Sequence, residues 1–121
     1  MVAVIKVKAG PREEVYRVYI KEDVIVLYFH STDADEAHLK AHVLKLIDVE
    51  AEQKKYNDRD EWHIYTYTNA LVSKDALQEF REALAKAVEE VAQKGLIKAE
   101  TATRWAETLR KGVTLEEDKL R

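Results

Sequence analysis

The 121-residue sequence contains no cysteine, only one proline and only three glycines. The lack of cysteine excludes a disulfide scaffold, a thiolate metal site and a cysteine nucleophile. There is no glycine-rich phosphate loop, and no serine lies in a Gly-x-Ser-x-Gly elbow. No paired acids suggest acid-base chemistry either. These absences predict a non-enzymatic protein without a cofactor.

Long apolar runs are also missing. No stretch approaches the roughly 20 residues that span a bilayer, and the N-terminus lacks the apolar core of a signal peptide. We therefore expect a cytoplasmic protein with no membrane partner. The length predicts one α+β domain over residues 1–112, followed by a charged tail, 113–121, that frays. Charged residues reach 36%, beside a single methionine and few amides, a balance typical of hyperthermophile proteins.

The charge is unevenly distributed along the chain. A net charge of −3 argues against a strong nonspecific binder of duplex DNA. Residues 1–21 nevertheless carry five basic and two acidic side chains, whereas residues 22–60 carry five basic and ten acidic ones. The first predicted hairpin is therefore a basic island on an acidic chain.

Alternating apolar residues predict strands over residues 2–8, 14–20 and 24–30, and a polar strand near a sheet edge over residues 49–56. An aromatic strand over residues 61–68 follows the turn Asn57-Asp58-Arg59-Asp60. This strand has aromatic side chains on both faces, with Trp62 on one and His63, Tyr65 and Tyr67 on the other.

Helical spacing predicts three helices. The first begins at a polar cap, Ser31-Thr32-Asp33, and runs to about Ile47, burying Ala37, Ala41, Leu44 and Ile47. Ser73 is expected to cap the longest helix, which ends at Gly95, and a shorter helix runs from Lys98 to Arg110. Trp62 and Trp105 are expected in the core.

This order predicts an antiparallel sheet of four to five strands with its helices packed on one face. The opposite face is then open to solvent. By strand alternation it displays basic and aromatic side chains: Lys6, Lys8, Arg17, Tyr19, Tyr28, His30, His63, Tyr65 and Tyr67.

Several segments resemble a known group of sequences. The helix start Ser31-Thr32-Asp33, the turn and strand from Lys55 to Trp62, and the stretch from Gly95 to Trp105 are similar to the PaREP families. These are paralogous repeat proteins of crenarchaeal hyperthermophiles. The resemblance covers roughly residues 24–112 and implies an archaeal origin, but it implies no activity because those families are functionally uncharacterised.

The element order also resembles half of a LAGLIDADG homing endonuclease, which implies DNA contact through the open sheet face. The motif helix of that family precedes the first strand, whereas Met1 here leads almost directly into a strand. The string from Leu44 to Glu50 looks like the motif but ends the wrong helix. Asp48 and Glu50 are therefore better explained as solvated side chains than as metal ligands.

The open face has two competing interpretations. Tyrosine and histidine rings stack with bases while lysine and arginine neutralise phosphates, which favours single-stranded nucleic acid. The same surface is also suited to a homodimer interface, as tyrosine is enriched in such interfaces. Simple cross-strand packing of the rings, and an inactive endonuclease-like relic, are further alternatives. His38 and His42, four residues apart on a helix, would need a third ligand to bind a metal.

Overall fold

A computed structural model describes residues 2–114 as an α+β fold with a five-stranded antiparallel sheet and four helices within that range. The elements, in chain order, are β1 (Val2–Ala9), β2 (Arg12–Ile20), β3 (Ile25–Ser31), α1 (Ala34–Leu46), β4 (Glu52–Tyr56), β5 (Glu61–Thr66), α2 (Thr68–Val72), α3 (Gln78–Gln93) and α4 (Ala99–Lys111). The strand order is β1-β2-β3-β5-β4, so β4 lies at an edge as predicted. The predicted fold class is confirmed.

One face of the sheet forms the core with the helices. Strand alternation directs Ile5, Val18, Leu27 and Ile64 to this side, where each is at most 4% exposed. Helix α1 packs across the strands and α3 packs against β1, while α4 packs on α3. Trp105 of α4 is buried as predicted, and its indole N–H donates to the Lys21 carbonyl at 2.8 Å.

The beginning and end of α1 follow the local sequence. Asp33 is the N-cap and accepts hydrogen bonds from the backbone N–H groups of Asp35 and Glu36, as the predicted polar cap requires. After the helix, Asp48 has φ of 60°, a left-handed conformation that aspartate tolerates better than most residues. Asp48 therefore contributes to ending α1 through its backbone conformation.

The aromatic strand ends two residues earlier than predicted. Thr68 starts α2 rather than extending β5, because its hydroxyl accepts from the Ile25 N–H at 3.0 Å and donates to the Ile25 carbonyl at 2.9 Å. The preceding hairpin strand also starts late, at Glu52, since Val49 is buried and its N–H bonds the Leu44 carbonyl.

The predicted cap of the longest helix is wrong. Helix α3 begins at Gln78 with Leu77 as its N-cap, and Gly95 follows its end with φ of 73°. The Ser73 hydroxyl instead accepts from the Asp75 N–H at 3.2 Å, which closes a local turn. Ser73 also bridges Val113, the first residue of the predicted tail, and residues 115–121 of that tail lie outside the described residues.

A buried arginine joins α3 to the end of α4. Arg81 is only 6% exposed and donates to the carbonyls of Ala76, Leu109 and Arg110 at 3.1, 2.7 and 3.2 Å. The negative end of the α4 dipole favours a cation at this position. Gly112 has φ of 76°, and a Cβ there would lie 2.9 Å from an Arg81 nitrogen, so a side chain at this position would disturb the contact.

Replacing Arg81 with methionine should lower the free energy of unfolding by roughly 2–4 kcal/mol, because buried carbonyls lose their donors. Chemical denaturation followed by circular dichroism measures this change. Lys86→Met, an exposed position on the same helix, is the matched control and should stay within about 0.5 kcal/mol of the parent protein. Equal effects of the two substitutions would contradict the structural role of Arg81.

Candidate functional site

The side of the sheet opposite α1 and α3, called here the open face, holds the predicted site. Strand alternation and the observed register place the predicted strand residues on it, and Tyr67, the N-cap of α2, joins them because its ring stacks on that of Tyr65. These residues are Lys6, Lys8, Arg17, Tyr19, Tyr28, His30, His63, Tyr65 and Tyr67. Within residues 2–114, no helix covers the side bearing Tyr65 and Tyr67, as predicted.

Four tyrosines form a continuous row, the ring ladder, and they come from β2, β3, β5 and the N-cap of α2. The ring centroids of Tyr19 and Tyr28 lie 5.6 Å apart, those of Tyr28 and Tyr65 5.4 Å, and those of Tyr65 and Tyr67 6.1 Å. The Tyr65 and Tyr67 rings are within 11° of parallel. Tyr67 is 48% exposed, while the other three are half-buried by their neighbours.

His63 lies on the predicted face but is not displayed on it, since it is only 7% exposed. Its ring meets Tyr56 edge-on at 4.4 Å and stacks with His30 at 5.5 Å. Its Nε2 lies 3.0 Å from a Glu61 carboxylate oxygen. The ring is thus enclosed by neighbouring side chains and supports the ladder rather than offering a free surface for stacking.

Hydrogen bonds hold the half-buried tyrosines in place. The Tyr28 hydroxyl lies 2.6 Å from Nδ1 of the exposed His30, and the Tyr65 hydroxyl lies 3.3 Å from Nδ1 of His63. Burial raises the pKa of Tyr28, and burial is also the main cause that raises the pKa of Tyr65 to about 12. Both hydroxyls therefore stay protonated and neutral at physiological pH.

The basic island is weaker than its charge count suggests. Lys8 pairs across the hairpin with Glu13, and the Glu13 carboxylate lies 3.8 Å from the ammonium groups of both Lys6 and Lys8. Arg17, by contrast, makes no salt bridge to any residue in the range 2–114. Arg17 is therefore the predicted cation whose charge remains available to a ligand.

An apolar patch that was not predicted from the sequence lies at one end of the open face. Val2, Val4 and Val15 are 45%, 64% and 43% exposed. The same alternation that directs Ile5 and Val7 to the core directs these valines to the open face. Valine thus predicts a strand, but it does not indicate which face of the sheet its side chain occupies. Counting alternate positions would have placed these three valines on the open face.

The sheet splits between β2 and β3, and this split is called here the fork. Pairing of the two strands runs only from Ile20–Ile25 to Arg17–Tyr28, after which β3 continues beside β5 alone. Lys40 from α1 fills the base of the fork, where its ammonium donates to the Val15 carbonyl at 2.9 Å and lies 3.0 Å from Glu14. The prediction of the α1 buried stripe missed this lysine, which is 7% exposed.

A cleft of about 450 Å³ leads from the open face into the fork. Its lining combines apolar, aromatic and cationic side chains, namely Val4, Val15, Tyr16, Arg17, Tyr28, Phe29, His30 and Lys40. The Lys40 ammonium lies 4.5 Å from the Phe29 ring centroid and 5.1 Å from that of Tyr16. The cleft therefore reaches a buried cation from the same surface as the ring ladder.

A second cleft, of about 600 Å³, lies away from the open face beside α4. Its lining mixes both signs of charge around Trp105, with Glu22, Asp23, Arg104 and Thr108. Arg104 already donates to the Glu22 carbonyl. Because its arginine is engaged within the protein and acids line it as well, this cleft favours no particular class of ligand.

The predicted metal candidates lie on the helix side or in connections. His38 is exposed and meets the Trp62 ring edge-on at 5.0 Å. Trp62 itself is half-buried at the margin of the core, so the prediction that it lies within the core is wrong. His42, Asp48 and Glu50 are exposed. Across residues 2–114, no group of three or more histidine or acidic side chains is arranged to hold a metal ion.

Comparisons with known proteins do not assign the chain to a family. No protein-family model, curated protein or solved structure matches it. The resemblances to the PaREP families and to half of a LAGLIDADG endonuclease therefore stay predictions. In the part of the chain that the structure describes, no helix is both long and apolar enough to cross a membrane.

The raised pKa of Tyr65 has a consequence at alkaline pH. Because its pKa of about 12 in the folded protein exceeds the ordinary value of 10.0, folding retains a proton that the unfolded chain releases. This stabilising contribution is complete below pH 10 and should be lost as the pH rises towards 12.

Tyrosinate absorbance measured against pH tests this prediction. Tyr65→Phe should remove one tyrosine from the late part of the curve and reduce the loss of thermal stability between pH 10 and 12. If the Tyr65→Phe variant instead lacks a tyrosine that ionises near pH 10 in the parent protein, the burial of the Tyr65 hydroxyl is contradicted.

Proposed function

We propose that the open face binds single-stranded nucleic acid without catalysing a reaction on it. The observation that carries this proposal is the ring ladder, a row of four tyrosines on a sheet face that none of the four described helices covers. Bases stack on aromatic side chains with about 1–3 kcal/mol each, whatever their sequence. A row of rings at this spacing offers successive bases a common platform.

The residues contribute in different ways. Tyr67 and His30 are exposed and provide the most accessible rings. Tyr28 and Tyr65 are half-buried, so only part of each ring is accessible to a base. His63 holds its neighbours in position. Arg17 pairs with Tyr28 across β2 and β3, which places a cation beside the centre of the ladder for contact with a phosphate.

The balance of charge makes stacking the larger contribution. Glu13 partly neutralises Lys6 and Lys8, and Glu52 pairs with Tyr65 at the other end of the face. Few phosphates are then neutralised, so binding should depend only weakly on salt. Single strands, whose bases are free to stack, suit such a surface better than a duplex does.

Removing two rings should test the platform. Tyr65→Ala combined with Tyr67→Ala should weaken the binding of a labelled oligothymidylate at least about tenfold, because stacking contacts are lost. Fluorescence anisotropy at low and high salt measures the affinity and its salt dependence.

The matched control keeps the rings and removes the hydroxyls. Tyr65→Phe combined with Tyr67→Phe should bind within a fewfold of the parent protein, while circular dichroism establishes that both variants are folded. Equal affinity of the alanine variant and the parent would exclude the ladder as the binding surface. Intrinsic tyrosine emission is the appropriate second signal, because Trp62 and Trp105 lie on the helix side.

A second candidate function is homodimerisation through the same face. The exposed valines Val2, Val4 and Val15 favour it, since apolar and tyrosine-rich patches are typical of interfaces between identical subunits.

A charge placed within the valine patch should distinguish this function. Val4→Glu is expected to shift a dimer towards the monomer in sedimentation equilibrium, because association would bury the new carboxylate. Val4→Thr preserves the branched shape and should leave the dimer largely intact. A parent protein that stays monomeric at the highest attainable concentration would exclude the second candidate.

A further inference from the structure

The fork gives the open face a feature that the ring ladder does not explain. A lysine ammonium carries three N–H donors, and Lys40 directs one to the Val15 carbonyl and lies against the Glu14 carboxylate. No other hydrogen-bond acceptor of residues 2–114 contacts it. Lys40 also lies at the base of the cleft, so a polar group entering from the open face would meet a cation that is 93% buried.

The rim of the cleft adds further donors. Arg17 has no carboxylate partner in the described range, and its guanidinium offers the planar fork of N–H groups that matches a phosphate. His30 lines the same rim, and the Tyr28 hydroxyl lies 2.6 Å from its Nδ1. Val4, Val15 and Phe29 form apolar walls between these polar groups.

The charges of this cleft select an anion. Glu14 balances Lys40, but Arg17 remains as an additional positive charge, and the residues of the range 2–114 that line the cleft include no acidic side chain. A volume of about 450 Å³ is in the range of sites for small molecules. The aromatic wall of Tyr28 belongs to both the cleft and the ring ladder, so an anion attached to an aromatic base would contact both.

We infer that the fork cleft binds the phosphate monoester of a nucleotide, with the phosphate between Lys40 and Arg17 and the base against Tyr28. Because Lys40 and α1 close the base of the cleft, a strand enters it by its end rather than passing through. The ligand is then a free nucleotide or the phosphorylated end of a single strand. This inference rests on the proposed function and adds a defined anchor to it.

The increment in affinity due to the phosphate is the quantity to measure. The parent protein is titrated by calorimetry with oligothymidylate carrying a 5′-phosphate, a 3′-phosphate or neither, and with thymidine monophosphate and thymidine. Charge-assisted hydrogen bonds predict that one terminal phosphate raises affinity about tenfold. The comparison of free nucleotide with 5′ and 3′ ends identifies the source of the phosphate.

Two cationic positions on the same face provide the matched pair of variants. Arg17→Gln should reduce the phosphate increment to less than about twofold, since it removes the unpaired guanidinium at the rim. Lys6→Gln removes the same charge from an exposed residue outside the cleft lining and should leave the increment unchanged. Equal losses in the two variants would show a diffuse charge effect and overturn the inference.

A third variant tests Lys40 without removing it. Glu14→Gln preserves the size of the side chain and releases the Lys40 ammonium from its carboxylate, so the phosphate increment should rise severalfold. Thermal unfolding of the variant establishes that the fork has not collapsed. An unchanged or smaller increment in the folded variant would exclude Lys40 as a phosphate contact.

The outcomes separate this inference from the proposed function. If unphosphorylated oligothymidylate binds but the terminal phosphate adds nothing, the proposed function stands and the fork inference fails. If thymidine monophosphate binds in an Arg17-dependent manner while unphosphorylated strands do not bind, the cleft is confirmed and the single-strand platform fails. Absence of binding by every probe overturns both.

Discussion

The open face exists because the helices α1 and α3 cover only one side of a pleated sheet. Each strand directs alternate side chains to opposite sides, so burying Ile5, Val18, Leu27 and Ile64 beneath the helices necessarily places the intervening residues on the other side. Those intervening residues are rich in tyrosine and histidine, and their rings pack on one another.

The mutual packing of the rings shapes the site as much as their exposure does. Aromatic pairs at these distances add about 0.5–1.5 kcal/mol each beyond the area they bury. Tyr56, His30 and Tyr65 enclose His63 so completely that it serves as a support. Tyr28 and Tyr65 are consequently held in place by neighbouring rings and hydrogen bonds, and under the proposed function such a preformed arrangement would lower the entropic cost of binding.

The strands and the open face were predictable because a period of two depends only on local sequence. Alternation separates Lys6, Arg17, Tyr28 and Tyr65 from the core residues of their own strands, and burying those core residues beneath the helices brings the four to one side. The helix cap at Asp33 follows equally from local chemistry. The partial neutralisation of the basic island was also predictable from the sequence, because the short turn at Gly10 and Pro11 places Lys8 opposite Glu13.

Other features depend on contacts between distant segments and were not predictable in this way. Serine is a common helix N-cap, but Ser73 instead forms a backbone bridge with Val113, which follows the end of α4. A lysine in a helix is ordinarily solvated, and nothing near Lys40 in sequence shows that β2 and β3 separate above it. Thr68 stops β5 through a bond to Ile25, 43 residues away.

The fork also gives the sheet a mechanical seam. The β1–β2 hairpin is joined to the remaining three strands through only four residue pairs, Arg17–Tyr28 to Ile20–Ile25, while its own two strands pair along their whole length. A hairpin with so short a border to the rest of the sheet depends on other contacts to stay in place, namely the packing of α3 and α1 against β1 and the bonds of Lys40 to β2. A ligand that contacted both sides of the seam would hold the two parts together, so occupancy of the cleft and resistance to partial opening would rise in step.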